Sequence, residues 1–288
     1  MSSTLAERGA LRVRGRVLPW GARTYIMGIV NVSPDSFSGD GVVGEAAAAA
    51  RARAQLEAGA DLLDVGAEST RPGHDPIGEE TERERLVPAI RSIRAANPDA
   101  ILSVDTFKPG LCGDALAAGG DVINSIWGAP QDLVALAAER GAPIVVMHNK
   151  PVAMYEGDIV DEVLAFLDDA AARCVCAGIL AEHVILDPGI GFGKLPEHNL
   201  ALLGSLDRLV ALGFPTLLGT SRKSTIGKLT GRDVDARSFG TAATTALAVR
   251  AGIDIVRVHD VADQRDVVAV SDAVVRGWRP GGWHERLP

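Results

Sequence analysis

One pattern constrains this chain more than any other: a short apolar run followed by a longer alanine-rich stretch, repeated eight times. The β-like runs are TYIMGIVNV (24–32), ADLLDVG (60–66), AILSVD (100–105), DVINSI (121–126), PIVVMH (143–148), HVILD (183–187), PTLLGT (215–220) and DIVRVHD (254–260). Helical stretches fall near 44–59, 79–96, 109–118, 129–140, 157–178, 197–212, 236–251 and 262–276. Strands this apolar are buried on both faces, as in a parallel sheet covered by helices. Eight such units predict a single α/β domain, a TIM (β/α)8 barrel. A doubly wound open sheet with strands added at an edge is the alternative. Against it, the first βα junction has no G-x-G-x-x-G fingerprint.

Composition agrees with one large core. Hydrophobic residues make up 47% of the 288 and aromatics only 4%, so Ala, Val, Leu and Ile fill the interior. Nothing in the sequence reads as a Gly/Ser-rich linker. We therefore read residues 24–288 as the barrel and 1–23 as an N-terminal extension lying on its surface. The net charge of −8 argues against nucleic acid or an anionic membrane as partner. Any anionic ligand needs basic groups gathered locally. Cys174 and Cys176 are two apart on a helix and Cys112 stands alone, so all three read as reduced packing residues of a cytoplasmic protein. The start, MSSTLAERGALRVRG, has no apolar core of signal-peptide length, and no apolar run is long enough to span a membrane.

A (β/α)8 barrel carries its active site where the strands end. The eight ends read, in order, Asn31 with Ser33, Asp35 and Ser36; Asp64 before GAESTRPG; Asp105; Asn124; His148; Asp187; Ser221–Arg222–Lys223; and Arg257 with His259. One such group is usually a turn former or helix cap. Eight in register are better explained by a ligand, since unpaired burial is costly. Arg257 and His259, two apart, share a strand face. Asp105, Asn124 and Asp187 suit a heterocycle rich in N–H donors. Asn31, Thr70, Arg71, Arg257 and His259 suit phosphate oxygens. A site with both would hold an amino-heterocycle at one end and a phosphorylated leaving group at the other. The glycines of LDPGIGFGK (186–194) imply unusual dihedrals and close backbone approach.

Taken in order, MGIVNVSPDSFSGDG (27–41), DVGAESTRPG (64–73), SVDTFKP (103–109), DVINSIWG (121–128), ILDPGIGFGK (185–194), GTSRKSTIG (219–227) and RVHDV (257–261) resemble the motifs of the dihydropteroate synthases. The resemblance covers residues 24 to 262. It implies a barrel enzyme joining p-aminobenzoate to 6-hydroxymethyl-7,8-dihydropterin diphosphate, with release of pyrophosphate, in folate biosynthesis. By motif it implies pterin binding by Asp105, Asn124, Asp187, Lys223 and Met147, with Lys223, Asp105 and Arg257 as the catalytic set. It implies diphosphate contacts from Asn31, Thr70, Arg257 and His259, Mg²⁺ on Asn31, and an aminobenzoate pocket of Thr70, Arg71, Pro72, Phe192 and Ser224. A homodimer is also implied.

Two departures touch loops: SFSGDG where the family commonly has SFSDGG, and a short PVAMYEGD after MHNK. Three rivals are a methyltransferase of the same barrel serving a corrinoid protein, a pterin-binding relative without catalysis, and an aldolase using Lys223 as a Schiff base. SRKS, RVHD and the EST-RPG loop speak against them. Within TLLGTSRKS (216–224), strand alternation predicts that Arg222 and Lys223 point to opposite sides. Lys223 is expected in the site, and Arg222 in an ion pair at the rim.

Overall fold

The computed structural model describes residues 8–33, 41–42, 44–68 and 77–283. A hairpin comes first, β1 (Ala10–Val13) antiparallel to β2 (Arg16–Pro19). Eight parallel strands follow: β3 (Tyr25–Asn31), β4 (Leu62–Gly66), β5 (Ile101–Asp105), β6 (Val122–Ser125), β7 (Ile144–Met147), β8 (Val184–Asp187), β9 (Leu217–Leu218) and β10 (Ile255–Val258). Spatial neighbours follow chain order from β3 to β8, and β10 lies between β3 and β9. A parallel bridge from Leu186 to Thr216 brings β8 to the start of β9 and completes the ring.

The helices are α1 (Glu45–Ala58), α2 (Glu79–Ala96), α3 (Pro109–Ala117), α4 (Gln131–Arg140), α5 (Ile159–Cys176), α6 (Pro196–Leu203), α7 (Leu206–Val210), α8 (Ser224–Thr230), α9 (Ser238–Ala251) and α10 (Val261–Val275). Their ends follow sequence signals. Asp158 caps α5 by accepting from the N–H groups of Val160 and Asp161. Left-handed glycines close α1, α4, α8 and α9. Two details differ from the sequence reading. The stretch 197–212 is two helices, broken at Gly204–Ser205, and α8 is an extra turn of helix between β9 and α9. At seven residues α8 is too short for periodicity to reveal.

Alternate strand residues face the barrel interior and the helix layer. Val30, Leu63, Val65, Leu102 and Val104 pack outward against α1 and α2. The inward set at the start of the strands is Tyr25, Met27, Leu62, Ile101, Val122, Val145, Ile185, Leu217 and Ile255, in one buried cluster with Leu11, Leu18 and Trp20 of the extension. The extension therefore does more than lie on the surface: its apolar face stops the floor of the barrel. Full burial of each such side chain contributes about 1.5–3 kcal/mol, and the indole N–H of Trp20 donates to the Glu182 carbonyl at 2.9 Å.

The two buried carboxylates at this floor are well paired. Asp254 takes Nη1 and Nη2 of Arg8, at 3.2 and 2.7 Å, together with the Gly21 N–H and both the N–H and hydroxyl of Thr216. Asp272 accepts from the N–H and hydroxyl of Thr24 at 2.6 and 3.0 Å. Cys112 and Cys174 are buried thiols and Cys176 is exposed, all unbridged. Burial raises the Cys112 thiol to about 12, so it packs rather than reacts. No helix among the described residues is long and apolar enough to cross a membrane.

Candidate active site

The same alternation that builds the floor builds the mouth. Two residues beyond Leu62, Val122, Val145, Ile185 and Ile255, the inward positions are Asp64, Asn124, Met147, Asp187 and Arg257. Four beyond Ile101 and Met27 they are Asp105 and Asn31. Strand register sets Asp105 beside Asn124 and Met147 beside Asp187. On every strand named here but β7, where Met147 keeps the position apolar, the inward face thus passes from apolar to polar within one or two steps.

Arg257 ties two of the carboxylates together, Nε to Asp64 at 2.6 Å and Nη2 to Asp105 at 2.9 Å. Asn124 donates its amide N–H to the same oxygen of Asp64 at 3.0 Å. The second oxygens of Asp64 and of Asp105 are buried with no hydrogen-bond partner among the described residues. Leaving a carboxylate oxygen so is costly, and Asp105 shows it: burial, reinforced by the neighbouring Asp64 and opposed by Arg257, lifts its carboxyl to about 7. Burial also raises Asp187, against the pull of Lys223. One Asp187 oxygen accepts the Gly189 N–H at 2.7 Å. Asp64 and Asp105 are thus acceptors in want of donors.

The two adjacent cations part company here. Arg222 Nε reaches Asp260 at 3.0 Å, a rim ion pair as expected. The reason for the parting is different from strand alternation. β9 ends at Leu218, and Arg222 sits in the left-handed region, φ 56°, in a turn that throws its side chain outward. Lys223 then precedes the first residue of α8. Its ammonium donates to the Ile190 carbonyl and lies 4.3 Å from the centre of the Phe192 ring. Burial, helped by Arg257 and resisted by Asp187, lowers Lys223 to about 8. Ser224, next to it, begins α8 and is exposed.

His259 is buried at the end of β10. The Ser221 hydroxyl accepts its backbone N–H at 3.1 Å and meets its Nδ1 at 2.9 Å. Gln55 of α1 donates to the carbonyls of Ile29 and His259, stitching β3 to β10 just below the mouth. Asn31 is the last residue of β3 and is half-buried. Thr70, Arg71 and Pro72, and the Gly39–Asp40 departure, lie outside the described residues. What is described is the base of their loop. Lys108 binds Glu68 at 2.7 Å, Glu82 at 2.6 Å and the Ile77 carbonyl at 2.9 Å, clasping both flanks of EST-RPG.

One strand-end group does not join the ring. His148 follows inward-facing Met147, so the period of two turns it outward. There it packs edge-on against Phe166 of α5, ring centres 4.9 Å apart. Burial, with Lys194 and Lys150 nearby, lowers it to about 3, so it is neutral. Lys194, Gln55 and Lys108 were not singled out as site residues, and Ser221 was named as a strand end without a partner. Lys194 and Lys108 stood inside quoted motifs, but their roles depend on contacts between loops that no spacing reveals.

With this geometry in hand, likeness to known proteins becomes specific. The family model described as "Pterin binding enzyme" matches residues 27–259. The dihydropteroate synthase of Bacillus subtilis is 38% identical over 284 residues, covering 98% of each chain. That of Clostridium beijerinckii is 41% identical over 260 residues, 89% of this chain and 96% of its own. Among solved structures, the Xanthomonas albilineans dihydropteroate synthase with 4-aminobenzoic acid superposes with a TM-score of 0.85 at 40% identity, covering 97% of this chain and 99% of that one. The Thermus thermophilus enzyme in complex with 6HMPPP gives a TM-score of 0.81 at 42% identity, covering 92% and 99%. By sequence, by fold and by the residues at its mouth, this chain belongs to the dihydropteroate synthase family of pterin-binding enzymes.

Proposed function

We propose that the chain condenses 6-hydroxymethyl-7,8-dihydropterin diphosphate with p-aminobenzoate to give 7,8-dihydropteroate and pyrophosphate. The observation that carries this is the interior layer of Asp64, Asp105, Asn124 and Asp187, with unpartnered carboxylate oxygens among the described residues and Lys223 alongside. The guanidine-like edge of a pterin offers the N–H donors those oxygens want. Met147 flanks the ring, and Asp105, Asn124 and Asp187 fix its orientation. Arg257, pinned by Asp64 and Asp105, keeps further N–H groups for the diphosphate, beside Asn31, Thr70 and His259.

The C–O bond to diphosphate breaks, the C–N bond to the aminobenzoate amine forms, and the amine gives up a proton. No covalent enzyme intermediate is needed. Catalysis is positioning of the amine plus stabilisation of the departing negative charge. Phe192, Ser224, Thr70, Arg71 and Pro72 are assigned to the aminobenzoate side, with Lys223 between the two substrates. For Mg²⁺, no group of three His, Cys, Asp or Glu side chains able to hold a metal occurs among the described residues. The donor set fits an ion carried largely by diphosphate oxygens and water with Asn31 as its protein ligand. Such an ion would neutralise leaving-group charge.

We place the protein in the cytoplasm and propose that it is a homodimer. Supporting the dimer, α9 and α10 pack side by side and leave apolar side chains in solvent, Phe239 at 92% and Val274 at 80% exposure. Sedimentation of the wild type against Phe239→Asp/Val274→Asp tests it, and a monomeric wild type overturns it. The function is tested by pyrophosphate release with both substrates, with and without Mg²⁺. Release needing both substrates is the expected result. None with a folded, pterin-binding protein overturns the reading.

A further inference from the structure

The β8–α6 loop, residues 188–195, carries Phe192 and the Ile190 carbonyl to Lys223. What holds this loop is a second lysine. The Lys194 ammonium lies 2.9 Å from His148 Nδ1, 3.2 Å from the His148 carbonyl and 3.0 Å from the Phe192 carbonyl. In its ammonium form Lys194 matches three donors to three acceptors, two at the end of β7 and one in its own loop; burial, resisted by Asp187 and helped by Lys223 and Lys150, lowers it to about 7. The match requires a lone pair on Nδ1, and the neutral state of His148 supplies one.

The two loops are built to touch. Gly189 and Gly193 are both left-handed, and a Cβ on either would fall about 2 Å from a backbone oxygen, of His148 at 1.9 Å and of Lys150 at 2.1 Å. The Tyr155 hydroxyl donates to the Gly193 carbonyl at 2.8 Å. On the other flank Asn199 accepts the Gly191 N–H at 2.8 Å and donates to Thr225 of α8. Lys194 is the group that joins the Phe192 carbonyl directly to β7.

We propose that Lys194 is a positioning residue for aminobenzoate. By tying the Phe192 backbone to the end of β7, it fixes the Phe192 ring and the Ile190 carbonyl against Lys223. This deepens the proposed function and rests on the assignment of Phe192 to the aminobenzoate side. Asp64, Asp105 and Asn124 of the pterin layer stand on strands clear of the loop, and only Asp187 borders it, through the Gly189 N–H, so aminobenzoate should respond more strongly than the pterin.

The test is steady-state kinetics of Lys194→Met and of Lys194→Gln, which keeps two N–H donors. With Lys194→Met, KM for p-aminobenzoate should rise by about ten-fold, the size of one charge-assisted hydrogen bond. KM for the dihydropterin diphosphate should move less than about three-fold. Lys194→Gln should fall between wild type and Met. Lys194→Cys alkylated with bromoethylamine, which restores an ammonium, should regain the wild-type KM; wild type treated in parallel controls for Cys176. Equal rises in both KM values, or no rise, overturn the proposal, as does an alkylated variant that stays impaired. If Lys194→Met does not fold, the Gln and alkylated proteins decide. A wild type that cannot condense the two substrates overturns the functional reading instead, so the two failures are distinct.

Discussion

Asp254 and Asp105 are both buried carboxylates in the same barrel, at opposite ends, and they do opposite things. Asp254 shares five donor contacts among Arg8, Gly21 and Thr216. Asp105 has Arg257 on one oxygen and no partner among the described residues on the other. The first repays its burial within the protein. The second keeps one oxygen for a donor not found among the described residues. A buried acid marks a binding site when its hydrogen-bond inventory is incomplete, whatever its depth.

Substitutions at the two ends should separate stability from chemistry. Lys223→Ala should lower kcat/KM by about 10,000-fold, roughly 5 kcal/mol of transition-state stabilisation, while leaving thermal stability intact. Near-normal turnover would remove Lys223 from the reaction. At the floor, Asp254→Asn should cost about 3–5 kcal/mol in urea unfolding, because Arg8 loses its charge partner and an amide N–H faces N–H donors. The folded fraction should turn over normally. A loss under about 1 kcal/mol would mean that the floor network is not holding the hairpin.

Asp187→Asn should weaken dihydropterin binding by about 30-fold, some 2 kcal/mol, with aminobenzoate affinity changed less than three-fold. Equal effects would dissolve the division of the mouth into two subsites. His259→Ala should weaken pyrophosphate binding by about ten-fold in calorimetry. An unchanged affinity would take His259 out of the diphosphate contacts.

A further contrast between the two ends is in pH. An ordinary Asp ionises near 3.9, whereas Asp105 does so at about 7 when folded. Between those values the folded chain holds a proton the unfolded chain has lost, so this group makes stability fall as pH rises from about 4 to 7. Asp105→Asn should flatten that fall in pH-dependent unfolding. Dihydropterin binding near pH 6 should release protons, seen as a buffer-dependent heat. A slope unchanged by the substitution would show that Asp105 is ionised throughout.

How much of this was open to sequence reading varies by element. The apolar runs carried the strands to within a residue or two, and with them the strand-end positions of Asp105, Asn124, Asp187 and Arg257. The strand period of two, applied one residue further, turns His148 away from the mouth, a step missed when strand ends were counted as a set. Arg222 was assigned to the rim on strand alternation, but a left-handed turn does the work, and backbone handedness at a non-glycine leaves no mark in composition. The Arg257 bridge across Asp64 and Asp105, and the Lys194 tie across two loops, join residues far apart in the chain. Only the closed ring brings them together.

The hairpin at the floor has a consequence for traffic. With Leu11, Leu18 and Trp20 sealing one end, both substrates and both products share a single doorway. On the proposed assignment the pterin layer lies on the strands, below Lys223 and the loops, so the deeper substrate is expected to bind before the shallower one. After reaction, dihydropteroate occupies both depths and cannot leave without clearing the whole passage. A closed floor would thus impose an order of entry and exit on a reaction whose chemistry, taken alone, has none.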